Sequence, residues 1–227
     1  MIKAVIFDFD GTVSNRQKNA YSVFDGYFRQ YFSDLDDLEF EAVLQDMMLY
    51  DCNGSINVGM RLIPFMRKYG DRLPEDFSDV FVSFYTRTMY MSTTLKAETL
   101  EVLQTLKKQN YKLGLLSNGD SFSQHNKIRK VGIEDLFDEV IVSGDLGIDK
   151  PDRKIFDIMT ERLGVKNEEC MMVGDVFSSD ILGARNAGIL PVWIVTDPEK
   201  PAKYYTGYRI SDLRELYAIL EKENDGR

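Results

Sequence analysis

The chain has 227 residues, 44% of them hydrophobic, with 37 acidic against 28 basic side chains and a formal charge of −9. That size and apolar content suit one substantial domain, or a domain carrying a smaller one, and exclude a collagen, a coiled coil and a disordered chain. The acidic balance, with no long Lys/Arg cluster, argues against a nucleic-acid backbone or an anionic membrane surface as partner.

Residues 1–7 form too short an apolar run for a signal peptide, and the longest later one, 187–195, is interrupted by Pro191 and cannot span a bilayer. A soluble, cytoplasmic protein is expected. Cys52 and Cys170 lie far apart without a CxxC neighbour, which predicts reduced thiols packed as small hydrophobes. The single histidine, His125, falls on an expected surface helix, 121–131, where a solvated role is expected. Catalysis of the Ser-His-Asp type is not available to this chain.

In chain order, residues 4–7 read as a buried strand that runs into Asp8-Phe9-Asp10-Gly11-Thr12. The period of two puts Asp8 and Asp10 on one side of the chain as it leaves the sheet, where two carboxylates persist only with a cation between them or a proton on one. A solvated strand end, an Asp-Gly turn and a Thr cap would be the structural reading of the same string. Residues 15–92 are helical by pattern, with helices expected at 16–31, 39–49, 56–69 and 78–89, and their aromatic and Met residues are read as the core of this insert. From residue 95 helices and strands alternate. Strands are expected at 112–116, 139–142, 170–173, 190–195 and 208–210, and helices at 98–109, 121–131, 151–163, 178–187 and 211–222. The pattern predicts a Rossmann-like α/β fold, a parallel sheet with helices on both faces, plus a four-helix domain.

In such a sheet, function is sought just past the carboxyl ends of the strands. Ser117-Asn118-Gly119 there could be a turn leading to a helix cap, or a cradle for an anion. Lys150 precedes Pro151, expected in the first turn of a helix, which would hold the ammonium group at a helix N-terminus where an anion is favoured. Gly174-Asp175 ends another strand, followed by Ser178 or Ser179 as expected helix cap and Asp180 in the first turn. Capping would explain Asp180 but not Asp175, whose charge at the end of a buried strand asks for a cation. Oxygen ligands without His or Cys point to Mg²⁺.

Together, Asp8-x-Asp10-Gly-Thr, Ser117-Asn118, Lys150-Pro151 and Gly174-Asp175 with Asp180 resemble the four motifs of the haloacid dehalogenase (HAD) superfamily, in order, across the whole chain. The resemblance implies a Mg²⁺-dependent phosphatase of small phosphomonoesters working through an aspartyl-phosphate. It implies Asp8 as nucleophile and metal ligand, and Asp10 as general acid/base that also ligates metal through its backbone carbonyl. Ser117, Asn118 and Lys150 would hold the phosphoryl group, Asp175 would bind Mg²⁺, and Asp180 would support the metal shell. The implied domains are an α/β core of residues 1–14 and 93–227 and a helical cap of residues 15–92 that closes over the core. A phosphomutase and a non-catalytic phosphate-binding module are the alternatives; a dehalogenase would lack the acid at Asp10. Nucleotides, sugar phosphates and phosphoglycolate all remain as substrates, and Arg16 and the loop 51–55 are read either as facing the site or as surface.

Overall fold

The computed structural model describes residues 1–54 and 56–225 and divides into two compact units, Met1–Ser14 with Leu95–Arg227, and Asn15–Thr94. Ser55, part of the loop read as a substrate contact, and Gly226 and Arg227, counted with the core, lie outside the described residues.

The first unit is built on six strands, β1 (Ala4–Phe7), β2 (Lys112–Ser117), β3 (Glu139–Val142), β4 (Cys170–Gly174), β5 (Leu190–Ile194) and β6 (Tyr208–Ile210). They form one parallel sheet in the order β3-β2-β1-β4-β5-β6. The alternation of side chains is visible in β1. Val5 and Phe7 join one core with Leu113, Leu115, Met171 and Val173, while Ala4 and Ile6 join another with Phe156, Met159 and Met172. A strand buried on both faces explains why Ala4–Phe7 is apolar without a break. After β1 the chain builds outward to β2 and β3, then returns to the other side of β1 for β4 to β6. β1 and β4 therefore flank the switch point, where the strand ends leave a crevice.

The second unit lies between β1 and β2 in the chain and holds α1 (Arg16–Phe28), α2 (Asp37–Tyr50), α3 (Val58–Tyr69) and α4 (Phe77–Thr88). Asp36 and Glu39 form a reciprocal capping box that starts α2. Phe24, Phe28, Phe65, Phe77 and Phe81 fill its interior with stacked and tilted rings 4.8–6.3 Å apart between centroids. The insert's aromatic residues are thus largely its own core, as their helical spacing predicts.

The first unit continues with α5 (Thr99–Lys108), α6 (Ser121–Lys130), α7 (Ser143–Leu146), α8 (Arg153–Leu163), α9 (Leu182–Ala187) and α10 (Leu216–Asp225). α7 was not expected from the sequence. Cys170 packs in the core as anticipated, but Cys52 is exposed, in the short turn after α2, where its φ is 48°. Among the described residues no helix is long and apolar enough to cross a membrane.

Candidate active site

β1 delivers Asp8 to the switch point, where its backbone N–H donates to Val173 O of β4 at 2.9 Å. The side chain is buried and meets the Lys150 ammonium, Nζ to Oδ1 2.8 Å, while the Thr12 hydroxyl donates to Oδ2 at 3.3 Å. Lys150 Nζ also reaches Asp180 Oδ1 at 2.8 Å and Leu116 O, at the end of β2, at 2.7 Å. One cation is thus held by elements on both sides of β1. Asp8, Asp175 and Asp180 each offer a carboxylate oxygen within 4.8 Å of the others.

Two glycines make this crowding possible. A Cβ on Gly11, whose φ is +88°, would lie 2.3 Å from Asp175 Oδ2, and one on Gly174 would lie 2.3 Å from Asp180 Cβ. Both contacts are well inside van der Waals range, so the acids converge only around bare backbone.

Three acids around one lysine leave an excess of negative charge out of water. Burial, then Asp180 and Asp10, push the Asp8 carboxyl up to about 7 against the pull of Lys150. Asp175 is raised well above the carboxylate range by burial and by Asp8 and Asp180. Burial alone would lower Lys150, but Asp180 and Asp8 outweigh it and hold the ammonium charged. Lys96 is pulled down by burial and held up in part by Asp175. The donor set, carboxylates only and short of positive charge, fits a hard divalent cation such as Mg²⁺.

The sequence-derived residues assemble with some differences in detail. Asn118 closes on the backbone of Lys150 in both directions, its amide donating to Lys150 O at 2.9 Å and accepting from Lys150 N at 2.8 Å. Ser117 is buried as the last residue of β2. Lys150 is not at a helix N-terminus: α8 starts at Arg153 behind an Asp152 cap, Pro151 precedes it, and the ammonium is placed by carboxylates instead. The expected Ser178/Ser179 cap is absent. Residues Phe177–Ile181 form a π-helical turn in which Asp180 Oδ2 accepts Val176 N–H at 2.9 Å, so Asp180 both closes the turn and pairs with Lys150.

Asp10 is held apart from the three clustered carboxylates. Its Oδ2 accepts from Lys127 Nζ at 2.7 Å and Gln124 Nε2 at 2.9 Å, and the Gln124 amide also reaches Asn118 O at 3.1 Å. Gln124 and Lys127 were not singled out from the sequence. α6, read as a surface helix, turns them and Ile128 inward, spaced three and four residues apart. A Gln and a Lys on one face of an otherwise polar helix were the available signal. His125 on the same helix is partly buried rather than solvated and pairs with Asp145 of α7 at 2.8 Å.

Residues 2–188 match the family model of the haloacid dehalogenase-like hydrolases. The chain belongs to that family. It is 28% identical to a glyceraldehyde 3-phosphate phosphatase of Pyrococcus furiosus, over 98% of this chain and 95% of the relative. It is 27% identical to the pyrimidine 5'-nucleotidase YjjG of Escherichia coli, over 96% and 97%. Its fold matches the magnesium-bound HAD hydrolase YfnB of Bacillus subtilis with a TM-score of 0.75 at 24% identity, covering 96% of this chain and 98% of the other. This HAD hydrolase is accordingly a phosphatase, a phosphoric monoester hydrolase, and the resemblance read from its four motifs holds.

Proposed function

We propose that this phosphatase hydrolyses a small phosphorylated metabolite by Mg²⁺-dependent transfer of the phosphoryl group to Asp8. The observation that carries the reading is the Lys150 ammonium bound at once by Asp8 and Asp180 beside Asp175, an anionic cluster short of one cation, with Asp10 held separately by Lys127.

Asp8 attacks phosphorus; its carboxylate oxygen gains the P–O bond as the ester P–O bond breaks, and Asp10 delivers a proton to the departing alkoxide. Asp10, now ionised, takes a proton from water as that water attacks phosphorus, and the P–O bond to Asp8 breaks to release inorganic phosphate. Asp8, Asp175 and the backbone carbonyl of Asp10 would hold Mg²⁺, with Asp180 steadying the set. When bound, the metal screens the charge between nucleophile and phosphate. Ser117 and Asn118 line the phosphoryl position in this reading, and Lys150 neutralises its charge. No single group suffices, since proton transfer gives roughly 10²–10⁴-fold and positioning about 7–11 kcal/mol of a far larger barrier.

The helical unit acts in this reading as the family's cap and carries the contacts to the leaving group. The names of the relatives support a triose phosphate or a pyrimidine nucleotide as substrate. Two cysteines far apart in the sequence, without a CxxC neighbour, accord with a cytoplasmic setting. The test is phosphate release from an aryl phosphate with Mg²⁺ and with EDTA, followed by a panel holding both substrate classes. Turnover that persists in EDTA, or in Asp8→Asn, would sink this mechanism.

A further inference from the structure

Past the π-helical turn, the α/β unit carries a groove of about 930 Å³ whose walls include Phe177, Leu182, Trp193, Tyr204 and Tyr205. Phe177, Trp193 and Tyr205 meet edge to face, with centroids 5.0, 5.3 and 5.9 Å apart, and Trp193 joins Ile181 and Val195, with Tyr205 packed against them, in a hydrophobic cluster separate from the two cores of the sheet. Much of this apolar surface is left in water: Phe177 is 40% exposed and Tyr204 92%.

The charges around it run against the rest of the protein. Arg185, Lys200 and Lys203 line the groove, and among its described lining residues none is acidic, in a chain where acids outnumber bases 37 to 28. Lys200 Nζ and the Arg209 guanidinium lie 5.3 and 5.2 Å from the Trp193 ring centroid. The Asp8 cluster has the opposite charge, three crowded acids. A groove of this size lies within the roughly 300–1,000 Å³ typical of small-molecule sites. Aromatic walls favour a flat ring, and cations with no competing carboxylate favour a negative charge on it.

We propose that this groove binds a small planar aromatic anion, a ring system bearing a carboxylate, sulfonate or phosphate, separately from the phosphomonoester that is hydrolysed. Binding covers Phe177 and Tyr204 and neutralises Arg185 and Lys200. Leu182 and Arg185 on α9 supply one wall and residues 200–207 the other.

Trp193 is the only tryptophan of the chain, so energy transfer from it reads occupancy of the groove. 8-Anilinonaphthalene-1-sulfonate should bind the folded protein with one-to-one stoichiometry and quench Trp193, whereas the neutral N-phenyl-1-naphthylamine should bind about tenfold or more weakly. The double variant Arg185→Glu, Lys200→Glu should weaken the sulfonate about tenfold and leave the neutral dye, the circular dichroism and the turnover of aryl phosphate unchanged. Should that variant fold poorly, raising the salt concentration on the unmodified protein supplies the same contrast, loss of the anion but not of the neutral dye. Equal affinities for the two dyes, or an anion affinity indifferent to both charge reversal and salt, overturns the proposal. So does a Trp193 emission that shifts with protein concentration alone in step with dimerisation, which would assign the groove to a second copy of the chain.

Discussion

The two units bury charge with opposite imbalance. In the α/β unit, Asp8, Asp175 and Asp180 surround Lys150, an excess of acid. In the helical unit, Arg16 Nη2 and Arg61 Nη1 share Asp51 Oδ1 at 3.0 and 2.8 Å, and the Tyr85 hydroxyl accepts from Arg16 at 2.8 Å, an excess of base within an aromatic interior. Arg61 further donates to Ile56 O and to Gly54 O at 2.9 Å, tying the chain that enters α3 to the same cluster. Asp51 therefore neutralises charge that the fold has placed there, whereas each acid beside Asp8 adds to a repulsion that the fold tolerates. An acid removed from the first cluster should relieve strain, and the acid removed from the second should create it. On the proposed mechanism, that contrast separates a site kept for chemistry from a cluster kept for structure.

The largest expected effect breaks the contrast on the chemical side. Asp8→Asn should lower turnover of an aryl phosphate by about 10⁴-fold or more, because the proposed mechanism loses its attacking oxygen. In EDTA the same variant should melt at an equal or higher temperature than the unmodified protein, since one of three crowded carboxylates has lost its charge. Calorimetry of the metal-free protein checks this, and a clear fall in melting temperature would show that Asp8 is held by net attraction. Asp51→Ala should do the reverse, costing about 3–5 kcal/mol by leaving two buried guanidinium groups without their shared carboxylate. Urea unfolding followed by circular dichroism measures it, and a change under about 1 kcal/mol would mean that solvent or backbone carbonyls replace Asp51.

The same contrast explains what was legible in the sequence. Asp8, Asp10, Ser117, Lys150 and Asp175 could be expected at one edge because a parallel sheet brings the carboxyl ends of its strands together, so position in the alternating pattern is position in space. The sheet and the four helices were legible from periodicity for a similar reason. The Arg16–Asp51–Arg61 cluster was not: its members lie 35 and 10 residues apart on different helices, and nothing local distinguishes a buried arginine from a surface one. Lys127 escaped notice because α6 is mostly polar, and its place beside Ile128 on one face does not say that this face meets Asp10. The placement expected for Lys150 was partly wrong. Its proline neighbour suggested a helix N-terminus, whereas carboxylates from β1 and the π-helical turn position it.

A smaller effect sharpens the acidic side. Burial lifts Asp8 from 3.8 to about 7 and raises Asp175 in the same direction, so between about pH 4 and 7 the folded metal-free protein holds protons that the unfolded chain has released. Its stability should fall as pH rises through that window, by on the order of 5 °C in melting temperature. Excess Mg²⁺ should flatten the slope, because a cation then takes the place of the protons. A metal-free melting temperature that rises steadily from pH 4 to 7 would contradict the assignment of these carboxyls as net repulsive. The groups with lowered values, such as Asp138 and Asp212, oppose the trend but are common to both conditions, so the difference between EDTA and Mg²⁺ isolates the cluster.

The smallest effect concerns Asp10, whose carboxylate is held by Lys127 and Gln124 through the same oxygen. Two donors from one helix face fix the carboxylate's orientation, and a general acid must present its proton within hydrogen-bond reach of the leaving oxygen. Lys127→Met keeps the length and apolar stem of the side chain and removes one anchor, with Gln124 still in place. Proton delivery should then become less well aligned without the nucleophile being disturbed. An alkyl phosphate, whose alkoxide needs that proton, should lose about tenfold in kcat/KM, while an aryl phosphate with a stable leaving group should lose less than about threefold. Lys127→Arg should recover part of the alkyl rate, since it restores a donor and a charge at the same place. If both substrates lose rate by the same factor, Lys127 supports the fold of α6 and not the proton transfer, and the pairing with Asp10 belongs with Asp51 among the structural charges.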